Sequence, residues 1–188
     1  EAAALLIEFQ GNTEAEVSEK RNAFVSIAQK LSMLEAPVFT EDKKQQAFLW
    51  KLRKGMFPAV GAVRQSGTTV ILEDIAFPVP KLGDAIVDLQ SLFQKHGYDN
   101  AIIFGHAKDG NIHFVVTQTF NEGSEVQRYA RFIEDVVELV VNKYDGALKA
   151  EHGTGRNMAP FVETEWGSDA YQLMKGIKEA VDPDNLLN

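Results

Sequence analysis

Apolar residues recur along this chain with two periods, one near two residues and one near three and a half, and the alternation predicts its elements. Leu5 to Phe9 is a short apolar run before Gly11, which predicts a strand and a turn. Thr13 and Glu16 then match the T-x-x-E capping box, and Val17, Phe24, Ile27, Ala28 and Leu31 follow at helical spacing, predicting a helix over 13–34. Ala36 to Phe39 reads as a short strand. Thr40 caps a second helix to about Lys54, where GMFPAVGAV interrupts the pattern. Thr68 to Ala76 is β-branched and strand-like, and Pro78 and Pro80 end it. Leu82, Ile86, Leu89, Leu92 and Phe93 predict a helix closed by Gly97. Strands are expected at Ala101–Gly105 and Ile112–Thr119, then a long helix from Val126 to about Tyr144. A short strand at Ala147–Ala150 and a last helix capped by Ser168 complete the reading.

The order β-α-β-α, then β-α-β-β-α-β-α, predicts an α+β fold. The unit is ferredoxin-like, an antiparallel sheet with helices packed on one face. The strand–helix opening recurs in the second half, which suggests a duplicated unit, although no sequence repeat is visible. Residues 1–188 read as one domain, with both ends resembling edges cut from a longer polypeptide.

Composition narrows the chemistry. A formal net charge of −8, with no Lys/Arg-rich run, argues against a nucleic-acid partner. The chain has no cysteine, which excludes disulfides, thiolate metal sites and a cysteine nucleophile within it. A metal must therefore be held by His, Asp or Glu. The missing cysteine fits a reducing compartment, and the expected location is the cytoplasm, or a membrane surface reached through the rest of the polypeptide. No apolar run approaches the roughly 18 residues of a membrane span.

Two of the four histidines lie in GHAKDGNIH, Gly105 to His113. Asp-Gly between two strand-like runs predicts a tight hairpin. If Asp109 and Gly110 are the loop, His106 falls opposite His113, with Cβ atoms about 4.5–5.5 Å apart on one face. Two imidazoles so placed can share one ion. The alternative, two histidines beside an exposed turn, stays equally open from the pair alone. EHGTGR adds Glu151 and His152, whose side chains point to opposite faces on an extended chain. His96, at a predicted helix C-terminus, reads as structural. Arg53 carries a planar fork suited to a carboxylate, but the more conservative reading is a solvated helix end. Arg64 has the same ambiguity. Trp50 and Phe57 read as core.

These segments carry a family resemblance. GHAKDGNIH resembles the GHxGDGNxH motif of the C-terminal domain of FAD-linked oxidases, a family of D-lactate dehydrogenases, glycolate oxidase subunits and D-2-hydroxyglutarate dehydrogenases. EHGTGR resembles its EHGxG signature, LEDIAFP its T-E-D-V-A-V-P-like strand, and DPDNLLN its closing D-P-x-x-x-L-N-P-G. The resemblance covers essentially the whole chain. NMAPFVETEWG is similar to large members that carry an iron–sulfur cluster elsewhere in the polypeptide.

The resemblance implies the substrate, or cap, domain of a flavin-dependent enzyme oxidising a D-2-hydroxy acid to the 2-oxo acid. FAD would be bound mainly by an upstream domain absent here, leaving the isolated domain inactive. It implies His106, His113 and Glu151 as ligands of a divalent metal such as zinc or manganese, and His152 as general base. It implies Arg53 and Asn111 as substrate-binding residues. Lys108 departs from the motif glycine. Leu72 and Val115 stand where some members carry polar or basic residues, which leaves substrate identity open. The rival is a non-catalytic ferredoxin-like module that binds a small acid or a partner protein. A metal-dependent hydrolase using the same triad is a third reading, weakened by the lack of ligands for a second metal.

Overall fold

The computed structural model describes residues 3–187, apart from the side chains of residues 57, 60, 61 and 63. It divides into two compact units, Glu1–Ala59 and Val60–Asn188.

In the first unit, α1 (Glu14–Ala28) begins as expected. The Thr13 hydroxyl accepts the Glu16 N–H at 3.2 Å, and the Glu16 carboxylate accepts the Asn12 N–H at 2.8 Å. The strands expected at Leu5–Phe9 and Ala36–Phe39 do not form. A strand without a ladder partner leaves its backbone groups unpaired. Here the two segments contribute Phe9 and Phe39 to an aromatic cluster with Phe24 of α1, with centroids 6.1–6.3 Å apart. α1 also stops at Ala28, short of the expected end.

α2 (Lys43–Val63) runs through Gly55 and Pro58, where the sequence suggested a break. Pro58 removes a backbone donor and crowds the carbonyl four residues earlier, yet the helix continues past it. Trp50 is not core: it is 40% exposed and donates its indole N–H to Glu8 at 2.9 Å. The side chain of Phe57 lies outside the described residues.

The second unit holds the sheet. β1 (Thr69–Ala76), β2 (Ile102–His106) and β3 (Asn111–Gln118) form an antiparallel sheet in the order β1-β3-β2. α3 (Leu82–Lys95) connects β1 to β2, and β3 inserts between them, a split β-α-β arrangement. α4 (Gly123–Val137) follows β3 and continues as a π-helical turn, Glu138–Lys143. The expected strand at Ala147–Ala150 shrinks to one bridge, Ala147 to Ala76, on the free edge of β1. That edge is where a ferredoxin-like unit carries its fourth strand. Among the described residues there is thus one such unit, and the first unit contributes no strand to a second. Gly146 permits the docking, because a Cβ there would meet the Ala76 carbonyl oxygen at 2.4 Å.

The core lies on one face of this sheet. Ile71 and Ile75 of β1 and Ile112, Phe114 and Val116 of β3 pack with Leu89 and Phe93 of α3 and Phe132 and Val136 of α4. Phe93, Phe114 and Phe132 form a triangle of rings 5.5–5.9 Å apart. Strand alternation sends Asp74, Ala76, Asn111 and His113 to the opposite face. Beyond the sheet come α5 (Gly155–Met158), α6 (Val162–Trp166) and α7 (Ser168–Val181). The first two were not foreseen, since their apolar positions are too few to set a period. No helix among the described residues is long and apolar enough to cross a membrane.

Candidate metal centre

The hairpin differs from the expected one by two residues. Ala107–Asp109 form a 3₁₀ turn closed by Gly110, so the connection is longer than Asp-Gly alone. His106 therefore pairs with Asn111, and Phe104 stands opposite His113. A slip of two preserves the face of every side chain. His106 and His113 remain on one side as diagonal neighbours, with ring centroids 5.8 Å apart. Only Gly110 in this turn has a positive φ, +69°, so Lys108 is accommodated with ordinary backbone geometry. A Cβ on Gly110 would meet the Phe77 carbonyl oxygen at 2.0 Å.

Glu151 and His152 reach the histidine pair from the loop that follows the Ala147 bridge. The Glu151 Oε1 atom lies 3.0 Å from His113 Nε2, 3.5 Å from His106 Nε2 and 3.7 Å from His152 Nε2. His106, His113 and Glu151 offer ligand atoms all within 4.8 Å of one another. Ligands at about 2.0–2.1 Å from a tetrahedral zinc are separated by about 3.3–3.4 Å, so a divalent cation fits this donor set. His152 does not share that group. Its ring stacks on His113 with centroids 4.7 Å apart and planes 7° apart.

Asp74 was missed as a functional residue, although its strand motif was recognised. It is fully buried. Its Oδ2 accepts the backbone N–H groups of Ala150 at 3.2 Å, Glu151 at 2.7 Å and His152 at 2.8 Å. Its Oδ1 accepts Asn111 Nδ2 at 2.6 Å and lies 3.2 Å from His113 Nδ1. Burial alone would raise this carboxyl, but the bonds from Glu151, His152 and Asn111 outweigh it and hold Asp74 below the ordinary carboxylate value. Burial pushes His113 below the ordinary imidazole value, partly offset by Asp74 and Glu151. The lowered value favours the neutral ring that metal ligation requires.

The neighbouring residue on β1, Glu73, points to the core face and is also fully buried. It accepts Lys149 Nζ and Asn157 Nδ2, each at 2.6 Å. These two partners bracket the loop carrying Glu151 and His152. Sequence reasoning has one signal for such a pair, an acidic dipeptide within an otherwise apolar strand.

An open cavity of about 550 Å³ adjoins the cluster, lined by His106, Asp109, Asn111, Lys149 and Glu151 among others. Asn111 gives its Nδ2 to Asp74, and its buried Oδ1 has no hydrogen-bond partner among the described residues. Arg53 lies in α2, in the first unit. Arg64 donates to the Thr68 carbonyl at 3.1 Å, a local structural role. His96 is structural as expected, its Nε2 lying 2.6 Å from Asp135 at the end of α3.

Comparison with known proteins matches the chain to a family. The chain belongs to the FAD linked oxidases, C-terminal domain, a family that matches residues 1–188. It is 32% identical over 197 aligned positions to a D-lactate dehydrogenase [cytochrome], mitochondrial, of Arabidopsis thaliana, covering 100% of this chain and 32% of that protein. It is 30% identical over 187 to a probable D-2-hydroxyglutarate dehydrogenase, mitochondrial, of Oryza sativa subsp. indica, covering 98% and 31%. It is also 30% identical over 187 to the glycolate oxidase subunit GlcD of Bacillus subtilis, covering 99% and 38%. The chain thus spans about a third of the length of these curated relatives.

Proposed function

We propose that this chain is the substrate- and metal-binding domain of a flavin-dependent dehydrogenase that oxidises a D-2-hydroxy acid to the 2-oxo acid. The observation that carries the reading is the meeting of His106, His113 and Glu151 ligand atoms on one face of the sheet. A non-catalytic module makes no such demand on residues drawn from a hairpin and a distant loop.

In this reading those three side chains hold a divalent cation such as zinc or manganese and leave positions open for substrate. Bound there, the cation supplies Lewis acidity toward the substrate hydroxyl, and FAD from the rest of the polypeptide serves as hydride acceptor. His152 takes the hydroxyl proton. It is half exposed, and its stacking on His113 fixes the plane in which its lone pair is offered. The unpartnered Asn111 Oδ1 presents an acceptor to substrate. Arg53 is assigned to the substrate carboxylate on its chemistry and the family resemblance alone. A cytoplasmic location, or one at a membrane surface reached through the rest of the polypeptide, belongs to the same proposal. An iron–sulfur cluster elsewhere in the polypeptide belongs to the same proposal.

Leu72 and Val115 face each other across β1 and β3, one row from Asp74 and His113 on the same face. Neither offers charge to a second carboxylate.

The test is metal content and turnover of the full-length protein with His113→Ala or Glu151→Ala. Both variants are expected to lose metal and activity toward D-2-hydroxy acids, and unchanged turnover in both would sink the assignment. Comparison of D-lactate with D-2-hydroxyglutarate tests the substrate preference.

A further inference from the structure

We propose that Asp74 is the positioning residue of this site, setting which nitrogen of His113 carries the proton and seating the loop that presents Glu151 and His152. The inference rests on the metal-centre reading for its purpose, but its geometry stands apart from it.

An ionised carboxylate can only accept hydrogen bonds. Every polar group around Asp74 is arranged accordingly. Three consecutive backbone N–H groups converge on Oδ2, and the Asn111 amide donates to Oδ1. The remaining neighbour is His113 Nδ1, 3.2 Å from Oδ1 but outside hydrogen-bonding geometry, and without a hydrogen-bond partner among the described residues. The contact is not fully aligned, yet only a protonated Nδ1 is attracted to it. A neutral His113 therefore carries its proton on Nδ1. That leaves the Nε2 lone pair directed at Glu151 Oε1 and the space between His113, His106 and Glu151. A carboxylate behind a ligating histidine selects the tautomer and orients the ring in this way in metal sites generally.

One side chain thus ties together the two halves of the centre. Oδ1 serves the hairpin through Asn111 and His113, and Oδ2 serves the loop through the amides of residues 150–152. A purely structural tie would tolerate any residue that holds the loop. A tautomer-setting residue must be an acceptor at both oxygens.

Asp74→Asn separates the two roles. The amide oxygen can take the loop N–H groups at the Oδ2 position, which leaves the NH₂ facing His113 Nδ1 and Asn111. Asn111 can answer by turning its unpartnered Oδ1 toward it. His113 can only answer by accepting at Nδ1, which moves its proton to Nε2 and blocks the ligand atom.

The experiment records long-range ¹H–¹⁵N correlations of the His113 ring in the metal-free 188-residue chain at about pH 8, where an imidazole is neutral. A zinc titration of the same samples accompanies it. The expected result is the Nδ1–H tautomer in the wild type and the Nε2–H tautomer in Asp74→Asn. The Glu151 and His152 amides should stay protected from exchange in the variant, and zinc affinity should fall about 10- to 100-fold. An Nε2–H tautomer in the wild type overturns the proposal, and this holds even if the variant does not fold. An unchanged tautomer in a folded variant also overturns it. A wild type that fails to bind zinc while showing the expected tautomer switch defeats the metal reading and leaves the role of Asp74 intact. Zinc binding with the wrong tautomer does the reverse.

Discussion

The Nε2 atom of His113 lies 3.0 Å from the Oε1 atom of Glu151, the first on β3 along one edge of β1 and the second in the loop after the bridge on β1's other edge. With His113 neutral and its proton on Nδ1, this contact sets one lone pair against another. A cation between them, shared with His106, turns the repulsion into ligation.

On the proposed metal reading, His113→Ala removes a buried ligand whose backbone is fixed in the central strand. Its affinity for zinc is expected to fall about 100-fold or more, beyond the loss typical of an outer partner, as read by isothermal titration. His106→Ala, which removes an exposed ligand, should lower affinity less.

Gly110→Ala should destabilise the fold and disturb the hairpin together. The residue has φ +69°, and an added Cβ would meet the Phe77 carbonyl oxygen, while the Phe77 N–H donates to the Gly110 carbonyl at 2.9 Å. A cost of about 2–4 kcal/mol in chemical denaturation is expected. Lys108→Gly, at a position of ordinary φ, should not stabilise the turn.

Lys149→Ala should be more harmful than its surface-like residue type suggests. It strands the fully buried Glu73 carboxylate with Asn157 as remaining partner. Breaking such a pair from one side costs about 3–5 kcal/mol. Glu73→Gln keeps an acceptor and removes the charge, so its loss of stability should be smaller. Equal losses would mean that the buried charge is not the cause.

Acid stability gives a fourth test, remote from the centre. Asp135 is held below the ordinary carboxylate value by Lys95, then by His96. A depressed carboxyl stabilises the fold fully above its unfolded value and loses that contribution as pH falls through the folded one. The stability gap between wild type and Asp135→Asn should therefore be at full size near neutrality, about 1 kcal/mol for a partly exposed group. It should shrink below about pH 4. A gap that persists unchanged into acid would assign it to packing.

Much of the second unit was legible because its residues obey one period at a time. β1, α3, β3 and α4 alternate or repeat cleanly, and their predicted bounds hold to within a few residues. The two apolar runs of the first unit were misread because a strand is defined by a partner, which a local pattern cannot supply. At the site, face parity survived an error in turn length: His106 does not oppose His113, yet a shift of two leaves both on the same side. Asp74 was overlooked for another reason. Three of its bonds come from backbone amides, which leave no trace in side-chain identity.

The Asp74 carboxylate reaches partners 76, 77 and 78 residues further along the chain. Closing a loop of that span costs more chain entropy than closing the β2–β3 hairpin, whose strands are joined by residues 107–110 alone. A partly folded chain can form the hairpin, and with it two histidines, but not the carboxylate that completes the donor set. On the proposed metal reading, an ion would meet all three ligands only in the finished unit.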